Sequence, residues 1–193
     1  MAQRRWGGDL SLGYFGSGLG TVFKMTPAGV LTTLVFFNGS NGGNQAAGLV
    51  QGTNGDFYGI TALGGNLSLN LGYGFGTVFK MTPAGTLTTQ VSFNLANGYN
   101  PSAGLLQGSD GNFYGTTAGG GAGGGGTVFK MTPAGALTTL VSFHGTDGNS
   151  PQAPLVQGGD GNFYGTTTYG GAGGKGTVFQ VTPAGALTTL VSF

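Results

Sequence analysis

The chain is 193 residues long, and 38% of its residues are hydrophobic while only 6% carry a charge. Because disorder is expected where low hydrophobicity meets high net charge, this composition with a net charge of +1 favours a folded protein. Six basic against five acidic residues give no basic face for nucleic acid. The absence of cysteine excludes disulfide bonds and thiolate metal sites. No apolar run approaches the roughly 18 residues of a membrane span.

Two phrases alternate along the chain. The first reads GTVFKMTPAGVLTTLVFF at 20–37, and close variants return at 76–93, 126–143 and 176–193. The second reads LVQGTNGDFYGIT at 49–61 and returns, varied, at 105–117 and 155–167. A fixed period of this kind indicates supersecondary units that need neighbours in order to bury their faces.

The period defines the domain organisation. Thr21, Thr77, Thr127 and Thr177 open equivalent segments that lie 56, 50 and 50 residues apart. Residues 7–20 resemble 64–76, so the chain is expected to enter partway through a repeat. We predict one repeat domain over 1–193, with a partial repeat at 7–38 and complete repeats at 39–93, 94–143 and 144–193.

Each complete repeat contains four short apolar segments separated by turn chemistry. In the third repeat they lie at 104–107, 112–117, 127–132 and 137–143, and they are rich in Val, Phe, Tyr, Thr and Leu, which favours strands. The Thr-Pro-Ala-Gly segment at 132–135 suits a turn in which proline presets φ and glycine supplies a left-handed residue. Two-residue hairpin turns are expected at Asn54-Gly55, Asp110-Gly111 and Asp160-Gly161.

Both faces of the predicted sheets carry apolar side chains. Leu137, Val141 and Phe143 share one face of their strand, and Leu140 lies on the other. A sheet that is wet on one side alternates cleanly, so these sheets are expected to be covered on both sides. We predict an all-β fold, a β-propeller-like array of four-stranded antiparallel meander blades that forms an incomplete ring. A parallel β-helix is the alternative, which the tight hairpins disfavour.

The tandem unit GTVFKMTPAGxLTTLVSF…LVQGxDGNFYGTT resembles the GloVer-type tandem repeat of bacterial choice-of-anchor proteins over residues 7–193. It is more loosely similar to NHL-like propeller blades. The resemblance implies an exported, extracellular or cell-surface protein with a separate sorting or anchoring segment, and it implies no enzyme activity. Because residues 1–193 show neither a signal peptide nor an anchor, a fragment of a longer array is expected.

The connections of an up-and-down blade alternate between its two ends. The tight turns are expected at one end, and the variable loops at the other, at 38–48, 94–104 and 144–154 between repeats and at 64–76, 119–126 and 170–176 within them. Variable loops on a rigid scaffold are where binding usually takes place. The candidate ligand contacts are the loop aromatics and one His–Asp pair: Tyr73, Tyr99, Tyr169, His144 and Asp147.

The sequence offers little catalytic chemistry. His144 is the one histidine, there is no glutamate, and Asp110 and Asp160 supply a single carboxylate per turn, too few for calcium. The glycine-rich segments 118–126 and 173–177 lack the order of a phosphate-binding loop. We predict no catalytic residue, no metal and no cofactor. The alternative, a fragment of a secreted propeller enzyme such as a polysaccharide lyase or hydrolase, needs a positioned acid and base, and the loops supply only His144, Asp147 and Asp9.

The predicted function is therefore a non-catalytic structural or binding module whose loops contact protein or glycan, with no nucleic-acid or membrane partner. The repeated tyrosines after phenylalanine are expected to pack between blades: Tyr58, Tyr114 and Tyr164. The recurring strand lysines Lys24, Lys80 and Lys130, whose position is Gln180 in the last copy, are expected to face solvent. Because the first repeat lacks its inner strands, the chain is expected to form an open arc that self-associates through exposed strand edges.

Overall fold

The computed structural model describes residues 19–193, which fold as fifteen strands in four sheets. All pairings between these strands are antiparallel. The strands are β1 (Thr21–Met25), β2 (Leu31–Phe36), β3 (Gly43–Gln45), β4 (Val50–Gln51), β5 (Phe57–Leu63), β6 (Thr77–Met81), β7 (Leu87–Ser92), β8 (Leu106–Gln107), β9 (Phe113–Thr117), β10 (Thr127–Met131), β11 (Leu137–Ser142), β12 (Val156–Gln157), β13 (Phe163–Thr167), β14 (Thr177–Val181) and β15 (Leu187–Ser192).

We number the sheets as blades in chain order: blade 1 is β1–β2, blade 2 is β3–β7, blade 3 is β8–β11 and blade 4 is β12–β15. The prediction of an all-β array of antiparallel meander blades is confirmed, and a parallel β-helix is excluded. The helical structure between residues 19 and 193 is a single 3₁₀ turn, Asn70–Gly72, in the longest loop of blade 2. Residues 1–18, which include Asp9 and the start of the predicted partial repeat, lie outside the described part of the chain.

Both hairpin turns of a blade have the same backbone geometry. In blade 3, the Gly111 N–H donates to the Gly108 carbonyl at 2.9 Å, and the Gly135 N–H donates to the Thr132 carbonyl at 2.9 Å. Gly111 and Gly135 have φ of 79° and 93°, whereas Asp110 is not left-handed. Each connection is therefore a type I turn closed by a left-handed glycine, which makes a three-residue loop. The predicted two-residue turns at Asn54-Gly55, Asp110-Gly111 and Asp160-Gly161 are wrong in this detail, because only the glycine of each pair adopts positive φ.

The hydrophobic core lies between the blades. We call the side of a blade that packs on the preceding blade its leading face, and the opposite side its trailing face. Phenylalanines at the end of one blade meet phenylalanines of the next: Phe37 with Phe79 and Phe93 with Phe129 at 5.3 Å, and Phe143 with Phe179 at 5.1 Å between ring centroids. Tyrosine rings stack on the next blade in the same way, Tyr58 on Phe113 at 4.0 Å and Tyr114 on Phe163 at 3.8 Å. The predicted packing of these tyrosines between blades is confirmed for Tyr58 and Tyr114.

A glutamine joins blade 2 to blade 3, and another joins blade 3 to blade 4, at the tight-turn end. The Gln107 Oε1 accepts a hydrogen bond from the Thr53 N–H of blade 2 at 3.0 Å, and its Nε2 donates to the Gly111 carbonyl of its own blade at 3.0 Å. Gln157 repeats both bonds, to the Ser109 N–H at 2.9 Å and to the Gly161 carbonyl at 3.1 Å. Repeated main-chain bonds of this kind fix the blade-to-blade register.

The outer strand of every blade contains a one-residue bulge. In blade 3 the pairing moves from Val128–Val141 to Phe129–Thr139, so Leu140 has no partner in the ladder. The same shift occurs at equivalent positions of the other blades. The bulged residue faces the next blade, since a Cβ on Gly185 would lie 2.8 Å from the Leu140 carbonyl oxygen. A bulge also interrupts the outer edge of the blade, which limits pairing with other strands.

Candidate functional site

The variable loops meet at the end of the molecule opposite the tight turns, and main-chain hydrogen bonds connect them. The Tyr99 N–H donates to the Gly119 carbonyl at 2.8 Å, and the Tyr169 N–H donates to the Asn149 carbonyl at 3.0 Å. The same loops also bind the preceding blade, because the Asn100 N–H donates to the Phe75 carbonyl at 3.1 Å. We call this surface, formed by 38–48, 64–76, 94–104, 119–126, 144–154 and 170–176, the loop face. Its backbone is a continuous ladder from blade to blade.

A pair of buried threonines supports the ladder in each complete blade. The hydroxyls are 2.8 Å apart in Thr61–Thr77 and Thr117–Thr127, and 2.9 Å apart in Thr167–Thr177. The Thr127 N–H also donates to Thr117 Oγ1 at 3.1 Å, and Thr117 Oγ1 donates to the Gly119 carbonyl at 3.1 Å. Hydroxyls suit this place because a buried polar group is costly unless it is hydrogen-bonded. The sequence shows that these threonines recur in every complete repeat, but it does not show that their hydroxyls bond to each other.

The three candidate tyrosines occupy different places on the loop face. Tyr99 and Tyr169 lie in equivalent bridges, on opposite strands: Tyr99 pairs with Gly119, and Tyr169 pairs with Asn149. Tyr99 is half-buried, with its ring 5.6 Å from Phe75 and directly above Gly119, whereas Tyr169 is 59% exposed. Tyr73 is exposed and follows the 3₁₀ turn in the long loop of blade 2. The structure therefore does not gather the three tyrosines into one platform.

His144 and Asp147 do come together, at the junction of blades 3 and 4. His144 Nδ1 lies 3.9 Å from Asp147 Oδ2, and the His144 side chain is exposed. Asp147 Oδ1 accepts a hydrogen bond from the His144 N–H at 2.8 Å. At the equivalent loop positions, Asn41 and Asn97 accept the same main-chain bond at 2.8 Å. Asp147 thus has the loop-closing contact that an uncharged amide provides in the other two loops.

The tight-turn end has a polar network that the sequence interpretation missed. Each turn holds one carboxylate and one amide, but their order is reversed between blades: blade 2 reads Asn-Gly-Asp at 54–56, and blades 3 and 4 read Asp-Gly-Asn at 110–112 and 160–162. In every case the amide Nδ2 donates to the carboxylate, from Asn54 to Asp56 at 3.2 Å, from Asn112 to Asp110 at 2.7 Å and from Asn162 to Asp160 at 2.7 Å. Each turn therefore keeps one negative charge and one internal donor.

A tyrosine hydroxyl extends this network in blade 3. The Tyr114 hydroxyl donates to Asp110 Oδ2 at 2.8 Å. Burial raises the pKa of the Asp110 carboxyl, but hydrogen bonds from Asn112 and Tyr114 and the charge of Lys130 together hold this pKa below its ordinary value. Burial and the bond to Asp110 raise the pKa of the Tyr114 phenol. The hydrogen bond thus stabilises the phenol of Tyr114 in its neutral form and the carboxylate of Asp110 in its ionised form.

The recurring strand lysine faces the same network. Lys80 Nζ lies 3.8 Å from Asp56 Oδ2, so the prediction that this position only faces solvent is wrong for Lys80. In blade 4 the position is Gln180, whose Nε2 donates to the Tyr164 hydroxyl at 2.8 Å and to Asp160 Oδ2 at 3.2 Å. Gln180 donates hydrogen bonds to the turn network, and Lys80 brings its positive charge near the turn carboxylate, so both side chains interact favourably with it. Between residues 19 and 193, no three His, Asp or Glu side chains form a group that could hold a metal ion.

Solved structures with a similar fold include enzymes and proteins of unknown function. A candidate gluconolactonase superposes with a TM-score of 0.54 at 17% identity, over 91% of this chain and 58% of its own. A luciferin-regenerating enzyme has a TM-score of 0.55 at 15% identity, over 90% of this chain and 55% of its own. A protein of unknown function from Bacteroides thetaiotaomicron has a TM-score of 0.56 at 17% identity, over 90% of this chain and 42% of its own. At these identities the likeness shows the fold alone, and this chain spans little more than half the length of the first two.

No protein of curated function matches the sequence. A family model, described as the Gloeobacter/Verrucomicrobia repeat, matches residues 11–193. This range includes all four blades, so the match rests on the repeated strand and turn phrases rather than on one segment. The chain therefore belongs to the Gloeobacter/Verrucomicrobia repeat family, and its repeats are the blades of a propeller-type fold.

Proposed function

We propose that this chain is a non-catalytic propeller module of an exported or cell-surface bacterial protein, which binds a protein or glycan through its loop face. The observation that carries the proposal is the contrast between a constant loop backbone and variable side chains. The bridge between loops recurs in all three complete blades, but its residue pairs are Gly43–Leu63, Tyr99–Gly119 and Asn149–Tyr169. A fixed backbone that presents different side chains is typical of binding surfaces.

Tyr169 is the loop-face aromatic best placed for a ligand. Its ring is exposed, while its backbone is fixed by hydrogen bonds in both directions with Asn149. A rigid aromatic ring loses little conformational entropy on binding and offers both an apolar face and a hydroxyl. His144 and Asp147 belong to the loop that precedes blade 4, as does Asn149. We therefore assign the proposed contact to the loop face where blades 3 and 4 meet.

The non-catalytic part of the proposal rests on the role of Asp147. General acid–base chemistry needs a positioned pair within hydrogen-bond reach of a substrate. The exposed His144 ring is 3.9 Å from Asp147, and the carboxylate already accepts a main-chain hydrogen bond that asparagine accepts elsewhere. A loop-closing role thus accounts for Asp147 without catalysis. The enzyme alternative draws on the similar fold of a candidate gluconolactonase and a luciferin-regenerating enzyme.

The proposed location follows from the family resemblance to exported, surface-sorted repeat proteins. The helical structure within residues 19–193 includes no segment long and apolar enough to cross a membrane. Fractionation of the source cells, followed by protease treatment of intact cells, measures the location directly. Detection of the protein only inside protease-resistant cells would contradict the proposed location.

The binding proposal is tested by a glycan array and by surface pull-down with the parent chain, Tyr169→Ala and Val30→Ala. Val30 is an exposed apolar residue next to a tight turn of blade 1, so its truncation is a matched control at the other end. We expect at least one ligand for which Tyr169→Ala lowers the affinity at least tenfold, while Val30→Ala leaves the affinity unchanged. Equal binding by both variants would place the ligand elsewhere.

Catalysis is tested separately with Asp147→Asn. Because Asn41 and Asn97 close the equivalent loops, this variant should keep its fold while it loses the carboxylate. We expect the parent chain to be inactive against lactones, esters and glycans. Turnover by the parent that is lost in Asp147→Asn, with an unchanged circular dichroism spectrum, would establish the enzyme alternative.

A further inference from the structure

Blade 4 exposes an apolar trailing face that is buried in blade 3, although the two outer strands have the same sequence. The segment ALTTLVSF occurs at 136–143 and again at 186–193. Val141 and Phe143 are buried, at 7% and 0% exposed, whereas Val191 and Phe193 are 44% and 58% exposed. Leu190 and Val156 are exposed on the same blade. The difference comes from the position in the array and not from the residues.

Contacts inside the array specify what covers this face on the other blades. On blade 3, Phe179 packs on Phe143 at 5.1 Å, and Phe163 stacks on Tyr114 at 3.8 Å. The turn glycine Gly185 lies against the bulged residue Leu140. At the tight-turn end, Gln157 accepts the Ser109 N–H at 2.9 Å. The leading face of a repeat thus brings two phenylalanines, a turn and a glutamine.

Blade 4 presents the same receiving groups as blade 3. Phe193 occupies the position of Phe143, Tyr164 that of Tyr114, Leu190 that of Leu140, and Gly159 that of Ser109. We propose that the trailing face of blade 4 is a binding surface for the leading face of another repeat of this family. The partner is defined by its chemistry: the LVQG glutamine, the FYG phenylalanine, the TVF phenylalanine and the TPAG turn.

The partner is a leading face rather than a second copy of the same trailing face. All three interfaces in the described chain join a trailing face to a leading face. Such a heterologous interface continues an array. If two trailing faces met instead, the tyrosine of one would lie against the tyrosine of the other, and neither face would supply the glutamine that joins neighbouring blades. The exposed side chains Val156, Leu190, Val191 and Phe193 are all apolar, which disfavours nucleic acid as the partner.

The test appends a second copy of residues 144–193 directly after Phe193. The new junction, phenylalanine followed by histidine, is then identical to the natural junction of Phe143 and His144. Amide hydrogen exchange of β15 is measured in the parent and extended chains, each with and without Phe193→Ala. We expect β15 to gain protection in the extended chain. We also expect Phe193→Ala to reduce protection at least tenfold more in the extended chain than in the parent, where this ring is mostly exposed.

A matched extension carries the changes Phe163→Ala and Phe179→Ala in its appended copy only. It adds the same length of chain without the two rings that fill the interface, so β15 should gain no protection. If the extension without substitutions leaves the exchange protection of β15 unchanged, the proposal is overturned. An equal effect of Phe193→Ala on β15 in the parent and extended chains would also overturn it.

Discussion

Truncation of Phe129 is expected to destabilise the protein strongly, because its ring fills the interface between blades 2 and 3. Phe129 is 0% exposed, its ring lies 5.3 Å from that of Phe93, and its edge covers Gly115 so closely that a Cβ there would be 2.6 Å away. Removing a fully buried phenylalanine side chain forfeits about 1.5–3 kcal/mol of transfer free energy. Because the hydrogen-bonded strands of the two blades limit collapse into the space left by the ring, a cavity remains. This cavity raises the expected cost of Phe129→Ala to about 3–5 kcal/mol.

The matched control is Phe36→Ala. Phe36 also lies in a blade strand, but it is 72% exposed, and serine occupies its position in the other three blades. Because little of this ring is buried, its removal should cost less than about 1 kcal/mol. Urea unfolding followed by circular dichroism gives both free energies. A loss below about 1 kcal/mol for Phe129→Ala, or equal losses for the two variants, would refute the assignment of the core to the blade interfaces.

Further predictions concern the buried hydroxyls, the turns, the pH dependence and the strand edges. Thr117→Val removes the acceptor of the Thr127 N–H and one of the two partners of the Thr127 hydroxyl, and it should cost about 1–3 kcal/mol in urea unfolding, with faster exchange of the Thr127 amide. Gly111→Ala has open space for its methyl group but φ of 79°, so a cost of about 1–2 kcal/mol is expected from backbone strain alone. The pKa of Asp110 is lowered on folding, so its contribution to stability is present above the ordinary pKa and is lost as the pH falls through the folded value. Asp110→Asn should therefore flatten the decline of stability below about pH 4, and an unchanged pH profile would show that the turn network is not coupled to folding. Pairing through the outer strands predicts self-association that grows with concentration in light scattering, and a monomer at all concentrations would contradict it.

The fold was predictable because the signals for it are local and repeated. Asp-Gly and Pro-Ala-Gly turns define antiparallel hairpins wherever they occur, and apolar residues on both strand faces require blades on both sides. The length of the Asp110-Gly111 loop was less predictable, since a left-handed glycine serves two-residue and three-residue loops equally well. Turn chemistry thus indicates a reversal of the chain without specifying how many residues make it.

The candidate site was harder to predict, because its geometry depends on contacts between repeats. Sequence spacing placed His144 near Asp147, but only the equivalent bonds of Asn41 and Asn97 reveal that the carboxylate closes a loop. Nothing in the sequence indicates that the glutamine of the second phrase bonds to the preceding blade, yet Gln107 joins two blades. Recurrence in one sequence indicates that a residue matters and leaves its partner unknown.

The main-chain ladder of the loop face has a consequence for protein engineering. Because the loops are connected through backbone groups, side chains at the six bridge positions can be varied while the path of the loop backbone is kept. These positions are Gly43, Leu63, Tyr99, Gly119, Asn149 and Tyr169. The variation must be coupled within each pair, since a Cβ on Gly119 would lie 2.3 Å from the ring of Tyr99. A library with one large and one small residue per bridge would diversify the surface of every blade without altering the frame that carries it.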